Sequence, residues 1–298
     1  MSQAEFHIEQ KSAGLWLGTF EAMKSPCEVW LETTQVDAEK LTQWAANEAQ
    51  RIEYKYSRFR DDSVLSQINK NAGDWQTLDN ETASLLQFAD ECWQLSDGLI
   101  DITIGAYMKL WCFDGKTPPP ARKLLKATAD NVGWEKVELK TNQFFLPANM
   151  QIDLGGIGKE YAVDSIALAL ANKLSSGGIM VNFGGDLSAI RVKTDKTPWT
   201  IGVENIKNSQ QALNTIKLYQ GAIATSGSTK RFAVDKKSKP LGHILNPKTG
   251  WPVAHGPASV TIVANTATQC GLLSTLAMLK GKQAEEFLQQ EDVKYFIQ

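Results

Sequence analysis

A glycine-dense turn is the first stretch of the sequence that could bind a ligand. Gly155, Gly156 and Gly158 follow a short strand end at Gln151 and precede an amphipathic helix, whose apolar side is formed by Val163, Ile166, Leu170 and Leu174. Backbone N–H groups and the positive end of the helix dipole converge at such a helix N-terminus, which favours a phosphate. A tight strand-to-helix turn without a ligand explains the pattern equally well. The stretch is no Walker A loop, because Glu160 rather than Ser or Thr follows Lys159, and its glycine spacing does not fit the Rossmann pattern G-x-G-x-x-G.

Two further side chains suggest chemistry. Asp101 lies in an apolar, β-branched run, where an unpaired carboxylate would be costly, so it either has a structural partner or faces a ligand. His243 stands at a strand end before a Pro-Lys-Thr-Gly turn, and an unperturbed imidazole titrates near neutral pH. A lone histidine is more often structural than catalytic, so both interpretations stay open at this stage.

Composition excludes several classes of protein. The chain has 298 residues, 43% hydrophobic and 21% charged, with a net charge of −2, which gives no electrostatic basis for binding nucleic acid or an anionic membrane. The 4 cysteines are scattered without a C-x-x-C pair, so neither zinc binding nor a disulfide framework is supported. The start has no apolar leader and no run is long enough to span a bilayer.

The surrounding pattern predicts the elements that must position these residues. Strands are expected over 14–33, 136–146, 177–190, 199–206, 215–228 and 258–264, and helices after Asp37, over 80–96, after Gly158 and over 268–279. This irregular interleaving of strands and helices predicts an α+β fold rather than a regular βαβ succession.

Eight motifs in this order resemble the ApbE family of flavin transferases. They are LGTF (17–20), YSRFRDDSVLSQIN (56–69), SDGLIDITIGAYMKLW (96–111), DLGGIGKEYAVD (153–164), VNFGGD (181–186), ATSGS (224–228), HILNPKTGWPV (243–253) and CGLLST (270–275). The resemblance implies an ApbE-like fold with mixed or antiparallel sheets, packed helices and two intimate lobes around a flavin cleft.

The resemblance also implies a reaction. Such enzymes bind FAD, usually with Mg²⁺, and transfer FMN through a phosphoester to a Thr or Ser of a partner flavoprotein, with release of AMP. Phosphoryl transfer depends mainly on positioning and charge neutralisation, and the backbone donors of the glycine turn suit that task.

The same resemblance assigns roles to individual residues. Leu17 and Phe59 would line the flavin pocket. The adenosine or ring portion would be held by Leu99, Ile100 and Asp101, and FAD would be contacted around the turn by Asp153, Lys159 and Ile244. Gly156 would offer its carbonyl to the metal and Thr275 its side-chain oxygen. His243 would assist proton removal from the acceptor hydroxyl.

Two positions depart from the family pattern. Gly271 stands where the family carries an Asp as metal ligand, four residues before Thr275, and Asn246 stands where an acid is usual. Both changes remove negative charge from the metal side of the site, so the charge of the diphosphate, or Asp186 or another nearby acid, must attract the ion instead. Weak Mg²⁺ binding and slow or absent FMN transfer are expected. Gly271→Asp is expected to strengthen it without unfolding the helix. An FAD-binding protein with little or no transfer, or an FAD pyrophosphatase giving FMN and AMP, is the alternative function.

The resulting prediction is a single ApbE-like domain over residues 1–298, with residues 1–13 as a loosely ordered N-terminal extension. The chain is expected to be soluble, without a transmembrane segment. It would be cytoplasmic as given, or periplasmic or membrane-tethered if a leader has been removed. The acceptor protein and the oligomeric state are left open.

Overall fold

The structure, a computed structural model, describes residues 4–208 and 211–298. Its helices are α1 (Gln35–Tyr56), α2 (Val64–Lys70), α3 (Asn80–Leu95), α4 (Gly105–Met108), α5 (Arg122–Thr128), α6 (Gly158–Lys173), α7 (Ala267–Lys280) and α8 (Ala284–Gln290). The first strands are β1 (Phe6–Ser12), β2 (Leu15–Ala22), β3 (Ser25–Glu32), β4 (Trp75–Thr77), β5 (Glu138–Lys140), β6 (Gln143–Phe145), β7 (Ile179–Phe183) and β8 (Asp186–Arg191). The remaining strands are β9 (Trp199–Glu204), β10 (Ala212–Leu218), β11 (Gly221–Gly227), β12 (Phe232–Val234), β13 (Pro240–Gly242), β14 (Leu245–Asn246), β15 (Trp251–Pro252), β16 (Ser259–Ala264) and β17 (Lys294–Ile297).

The central sheet has 8 strands in the order β1-β2-β3-β7-β8-β11-β16-β17. Every neighbouring pair in it is antiparallel. Residues 4–208 and 211–298 also form four smaller sheets of two or three strands. The fold is therefore α+β with antiparallel sheets, as the sequence predicts.

The two faces of the central sheet pack against different elements. On one face the apolar side chains of β3, β7, β11 and β16 form the main core with α1, α6 and α7, and Val163, Ile166 and Leu170 of α6 are fully buried there. On the other face the β9–β10 ribbon packs over the sheet, with the rings of Trp30 and Trp199 in edge contact at 6.5 Å.

Helices α6 and α7 are held together by one carboxylate. Asp164 of α6 accepts hydrogen bonds from the backbone N–H of Ala267 (2.9 Å) and of Thr268 (2.8 Å) and from the Thr268 hydroxyl (2.8 Å). These bonds satisfy donors in the first turn of α7 that have no partner within the helix. They also set which residues of the two helices face each other.

The N-terminal segment differs from its prediction. Instead of a loose extension, Phe6–Ser12 form β1, which pairs with β2 at the edge of the central sheet. Only Phe6 and Ile8 of β1 are partly buried, an alternation too short to predict a strand, and the strand is ordered by its pairing with β2. Residues 1–3 lie outside the described residues.

Among the described residues, no helix combines the length and the apolar character needed to cross a membrane.

Candidate active site

Two of the sequence motifs lie side by side. The Asp153 N–H donates to the Ile102 carbonyl at 2.7 Å, and Ile104 forms a parallel bridge with Gln151. A Cβ at Gly105 would lie 2.6 Å from the Gln151 carbonyl oxygen, so only glycine allows this approach. The motif that contains Asp101 is thus packed directly beside the strand end that leads into the glycine turn.

The glycine turn is held in shape by Asp153. One of its carboxylate oxygens accepts from the Gly155 N–H at 2.8 Å, and the other forms an ion pair with Arg58. Gly156 is exposed, and a Cβ there would meet no atom within 4 Å. Among the described residues no side chain caps the N-terminus of α6. The turn therefore presents open backbone and an uncapped positive helix end, with an arginine beside it.

Lys159 connects the glycine turn to a second one. Its Nζ lies 2.6 Å from Asp186 Oδ2, and Asp186, only 3% exposed, also accepts from the Thr225 N–H at 3.1 Å. Asp186 directly follows Gly184 and Gly185, both of which have positive φ in the tight turn between β7 and β8. The predicted site residue Lys159 is thus fixed next to the VNFGGD motif.

Glu160 occupies the space in front of Gly271. A Cβ at Gly271 would lie 2.7 Å from Glu160 Cγ and 2.8 Å from its Oε1. Among the described residues Oε2 of Glu160 has no hydrogen-bond partner, and it is shut off from solvent. Burial raises the pKa of this carboxyl, the nearby charge of Asp186 raises it further, and Lys159 opposes both. An Asp introduced at 271 would therefore meet the Glu160 side chain, and one of the two side chains would have to move.

Hydroxyl groups gather at the end of β11 and on α7. Ser226 Oγ lies 2.9 Å from Thr275 Oγ1 and 2.8 Å from Ser274 Oγ, and the Ser274 hydroxyl lies 3.1 Å from the Gly271 carbonyl. The ATSGS and CGLLST motifs, distant in sequence, therefore meet. Thr275 is on the same face of α7 as Gly271, one turn away, and hence on the side that Glu160 faces.

His243 follows β13 and is largely enclosed. Its Nδ1 is buried and has no hydrogen-bond partner among the described residues, and its ring lies edge-on to Phe113 at a centroid distance of 6.1 Å. Burial lowers the pKa of His243 to about 4, and the positive charges of Arg231 and Arg58 act in the same direction. The ring therefore stays neutral at pH 7 and well below it, unlike an unperturbed imidazole.

Aromatic and apolar site residues form two different environments. Phe59 is 69% exposed, with Lys24 Nζ 4.1 Å and Arg58 Cζ 4.8 Å from its ring centroid. In contrast, Leu99, Ile100 and Ile244 join an apolar cluster that also contains Leu276 and Leu279 of α7. The structure thus brings these three predicted residues together beside the helix of Thr275.

Two predicted residues have surroundings that do not suggest a ligand site. Asp101 accepts from the Thr103 N–H (2.8 Å), the Thr103 hydroxyl (2.6 Å) and the Trp134 N–H (3.0 Å), so both its oxygens are occupied by its own neighbourhood. Leu17 pairs with Trp30 and lies on the sheet face opposite α6. The sequence left a structural role open for Asp101, and the geometry favours it.

Asn246 has a structural role in its turn. Its Oδ1 accepts from the Lys248 N–H at 2.9 Å, and its carbonyl accepts from the N–H groups of Thr249 (3.1 Å) and Gly250 (2.8 Å). An amide and a carboxylate can both make the first of these bonds, so the missing acid at 246 leaves the turn intact.

Sequence reasoning missed the polar residues that connect these parts. Arg58, Asp164 and Ser226 were not singled out, and Glu160 was used only to exclude a Walker A loop. The i,i+4 spacing of Glu160 and Asp164 was an available signal, since it places both acids on one side of α6. Among the described residues, no group of three His, Cys, Asp or Glu side chains has the arrangement of a metal site. A metal bound here would therefore need hydroxyl, carbonyl, phosphate or water oxygens as well.

Comparison with known proteins identifies the relatives of this chain. A sequence model of the ApbE family matches residues 23–297. The FAD:protein FMN transferase of Haemophilus influenzae is 28% identical over 83% of this chain and 74% of its own length. That of Salmonella typhimurium is 26% identical over 97% of this chain and 83% of its own.

Solved structures share the fold. The ApbE protein of Thermotoga maritima superimposes with a TM-score of 0.87 at 29% identity, covering 95% of this chain and 94% of that one. The apo form of the flavinyl transferase ApbE of Pseudomonas stutzeri gives a TM-score of 0.82 over 100% of this chain and 92% of its own. At 22% identity, the second comparison concerns the fold alone.

Proposed function

The chain belongs to the ApbE family, whose model matches residues 23–297, and from this premise we propose that it is an FAD:protein FMN transferase. It would cleave the diphosphate of FAD and attach FMN to a Thr or Ser hydroxyl of a partner flavoprotein. The single observation that carries the proposal is the match of the family motifs to one connected set of contacts around the glycine turn, from Arg58 and Asp153 to Lys159 and Asp186.

The glycine turn suits the diphosphate. The uncapped start of α6 and the open backbone at Gly156 would donate N–H groups to phosphate oxygens. Arg58 and Lys159 would add positive charge, and each is held in place by a buried carboxylate, Asp153 and Asp186 respectively. Preorganised donors of this kind stabilise charge that develops during phosphoryl transfer.

The flavin and adenosine ends of FAD would bind in the two environments that flank the turn. The exposed ring of Phe59 offers a stacking surface, and the cluster of Leu99, Ile100 and Ile244 offers an apolar wall. Leu17 and Asp101 contribute to this proposal only through the family resemblance, because the one faces away and the other is hydrogen-bonded internally.

His243 would act as the general base. The acceptor hydroxyl oxygen forms a bond to the phosphorus on the FMN side, the bond from that phosphorus to the AMP oxygen breaks, and AMP leaves with the electron pair. The hydroxyl proton passes to the unprotonated ring nitrogen of His243, which is neutral at pH 7. Magnesium, when bound, would neutralise diphosphate charge, and the Gly156 carbonyl and the Thr275 hydroxyl are the oxygens proposed from the sequence.

Product analysis tests the function. The chain, FAD and Mg²⁺ are incubated with a flavoprotein that carries a Thr or Ser target, and the products are followed by mass spectrometry and chromatography. Transfer yields AMP and an acceptor heavier by one FMN less one water. Free FMN with AMP and an unmodified acceptor would identify a pyrophosphatase instead, and unchanged FAD would identify a binding protein.

A further inference from the structure

Glu160 has a buried carboxyl oxygen that no described residue hydrogen-bonds. Oε2 has neither solvent contact nor a hydrogen bond among residues 4–208 and 211–298. Leaving a buried carboxyl oxygen in this state costs free energy, so such an atom points to a ligand that completes it. Nothing in the mechanism above uses Glu160.

The position of Glu160 is set by the helix pairing rather than by chance. Asp164, one turn along α6, bonds to the first turn of α7 at Ala267 and Thr268. Glu160 lies one turn back along α6, and Gly271 lies one turn forward along α7, so the two meet. The glycine supplies the room, because any Cβ at 271 would collide with the Glu160 side chain.

The elements that flank this side chain carry further oxygen atoms. Asp186 is close enough for its charge to act on Glu160, and Lys159 pairs with Asp186. On the α7 side lie the hydroxyls of Ser274 and Thr275, which the Ser226 hydroxyl of β11 contacts at 2.8 Å and 2.9 Å. Cys270 is no competitor as a ligand, since its thiol is buried against the Ala222 carbonyl and burial raises its pKa to about 12.

We propose that Glu160 is a carboxylate ligand of the divalent cation at this site, in the position that a side chain at residue 271 would otherwise occupy. Magnesium takes oxygen ligands and is typically held by one or two carboxylates together with substrate phosphates and water. Glu160 supplies the carboxylate, and Thr275 and the Gly156 carbonyl are available oxygens. The inference rests on the proposed function for the diphosphate that completes the shell. It replaces the expectation of a crippled metal site at Gly271.

The test measures metal binding directly. Mn²⁺, a spectroscopic substitute for Mg²⁺, is titrated into the full chain with and without saturating FAD, and free Mn²⁺ is followed by electron paramagnetic resonance. The variants are Glu160→Gln, Gly271→Asp, the double change Glu160→Ala with Gly271→Asp, and Glu286→Gln as a control. Glu286 is an exposed acid in the first turn of α8.

The expected results show that a carboxylate at position 271 can replace the one at position 160. Glu160→Gln weakens Mn²⁺ binding in the presence of FAD at least about tenfold, while Glu286→Gln leaves it unchanged. The double variant recovers binding, since an Asp at 271 then projects into the space that Glu160 has vacated. Gly271→Asp alone lowers the melting temperature, because its side chain meets Glu160. Glu160→Gln keeps the melting temperature of the metal-free chain, because no bond of Oε2 is lost.

Three outcomes would overturn the inference. The parent chain does not bind Mn²⁺, or Glu160→Gln binds it as well as the parent does. In the third outcome Glu160→Gln destabilises the metal-free chain, which would make the residue structural. The proposed function fails separately. A parent that binds Mn²⁺ through Glu160 but never modifies an acceptor refutes transfer and leaves the metal ligand in place. A chain that transfers FMN while Glu160→Gln binds Mn²⁺ normally refutes the ligand alone.

Discussion

Asp164 and Glu160 stand one turn apart on the same side of α6, both against α7, and their surroundings are opposite. Asp164 accepts three hydrogen bonds from the first turn of α7, whereas Oε2 of Glu160 accepts none from the described residues. The same contrast separates Asp101, with both oxygens occupied, from His243, whose buried Nδ1 has no partner in the described part of the chain. Buried polar groups that are satisfied internally maintain the fold, and those left unsatisfied await a ligand.

The contrast predicts that removing an unsatisfied group costs function and not stability. For His243→Ala we expect FMN transfer to slow by about 10²–10⁴-fold, the usual contribution of a general base, with FAD affinity and melting temperature little changed. Single-turnover transfer and FAD titration measure the two effects. His7→Ala, an exposed histidine on β1, is the matched control. Loss of folding or of FAD binding in His243→Ala would make the residue structural, and unchanged transfer would end its catalytic role.

Removing a satisfied group should have the reverse effect. Asp164→Ala leaves two backbone N–H groups and one hydroxyl of α7 without their acceptor, so we expect the free energy of unfolding to fall by about 2–3 kcal/mol. Urea denaturation measures the loss, and Glu285→Ala, at an exposed position on α8, serves as control. If Asp164→Ala were as stable as the control Glu285→Ala, the contrast between Asp164 and Glu160 would have no energetic basis.

Asp101 provides a smaller version of the same test. Asp101→Asn keeps one acceptor but turns an N–H₂ group toward a backbone donor, so we expect a stability loss of about 1–2 kcal/mol with FAD affinity retained. Denaturation and FAD titration are again compared. If FAD affinity fell while stability held, the role in ligand binding suggested by the sequence would be right and the structural one wrong.

The sequence predicts the elements better than the contacts between them. Apolar spacing identifies α1, α3, α6 and α7, because one side of each helix is buried against the sheet or its neighbours. Strand β1 escapes prediction because its order comes from pairing with β2 and not from buried side chains. The order of the motifs predicts the family, and the family pattern then identifies most of the residues around the glycine turn.

The polar details of the site depend on tertiary structure. No local sequence pattern predicts that Glu160 faces Gly271, because this contact depends on the antiparallel packing of α6 on α7. The position of Gly271 in the final helix suggests a missing ligand, and only the neighbouring helix reveals the carboxylate that fills the space. The neutral state of His243 is likewise set by burial and by Arg231, which lies twelve positions away in the chain.

The last expected effect concerns pH, and its sign separates a buried neutral His243 from an exposed one. The pKa of His243 falls from 6.5 to about 4 in the folded chain, through burial first and then the charges of Arg231 and Arg58. Between about pH 4 and 6.5 the unfolded chain therefore binds a proton at this residue that the folded chain does not. The stabilising contribution of the neutral ring is complete above pH 6.5 and is lost as the pH falls toward 4.

A variant comparison isolates this contribution. The free energy of unfolding is measured against pH for the parent chain and for His243→Gln, so that titrations common to both cancel in the difference. The parent should gain stability relative to His243→Gln as the pH rises from about 4 to 6.5, with no further relative change up to pH 8. The transfer rate should likewise show no acidic limb near pH 6.5, because the base is already unprotonated there. The opposite result would be parallel stability curves for the parent and His243→Gln, together with a transfer rate that falls below pH 6.5. It would mean that His243 is solvated and is not one of the buried groups compared above, satisfied or unsatisfied.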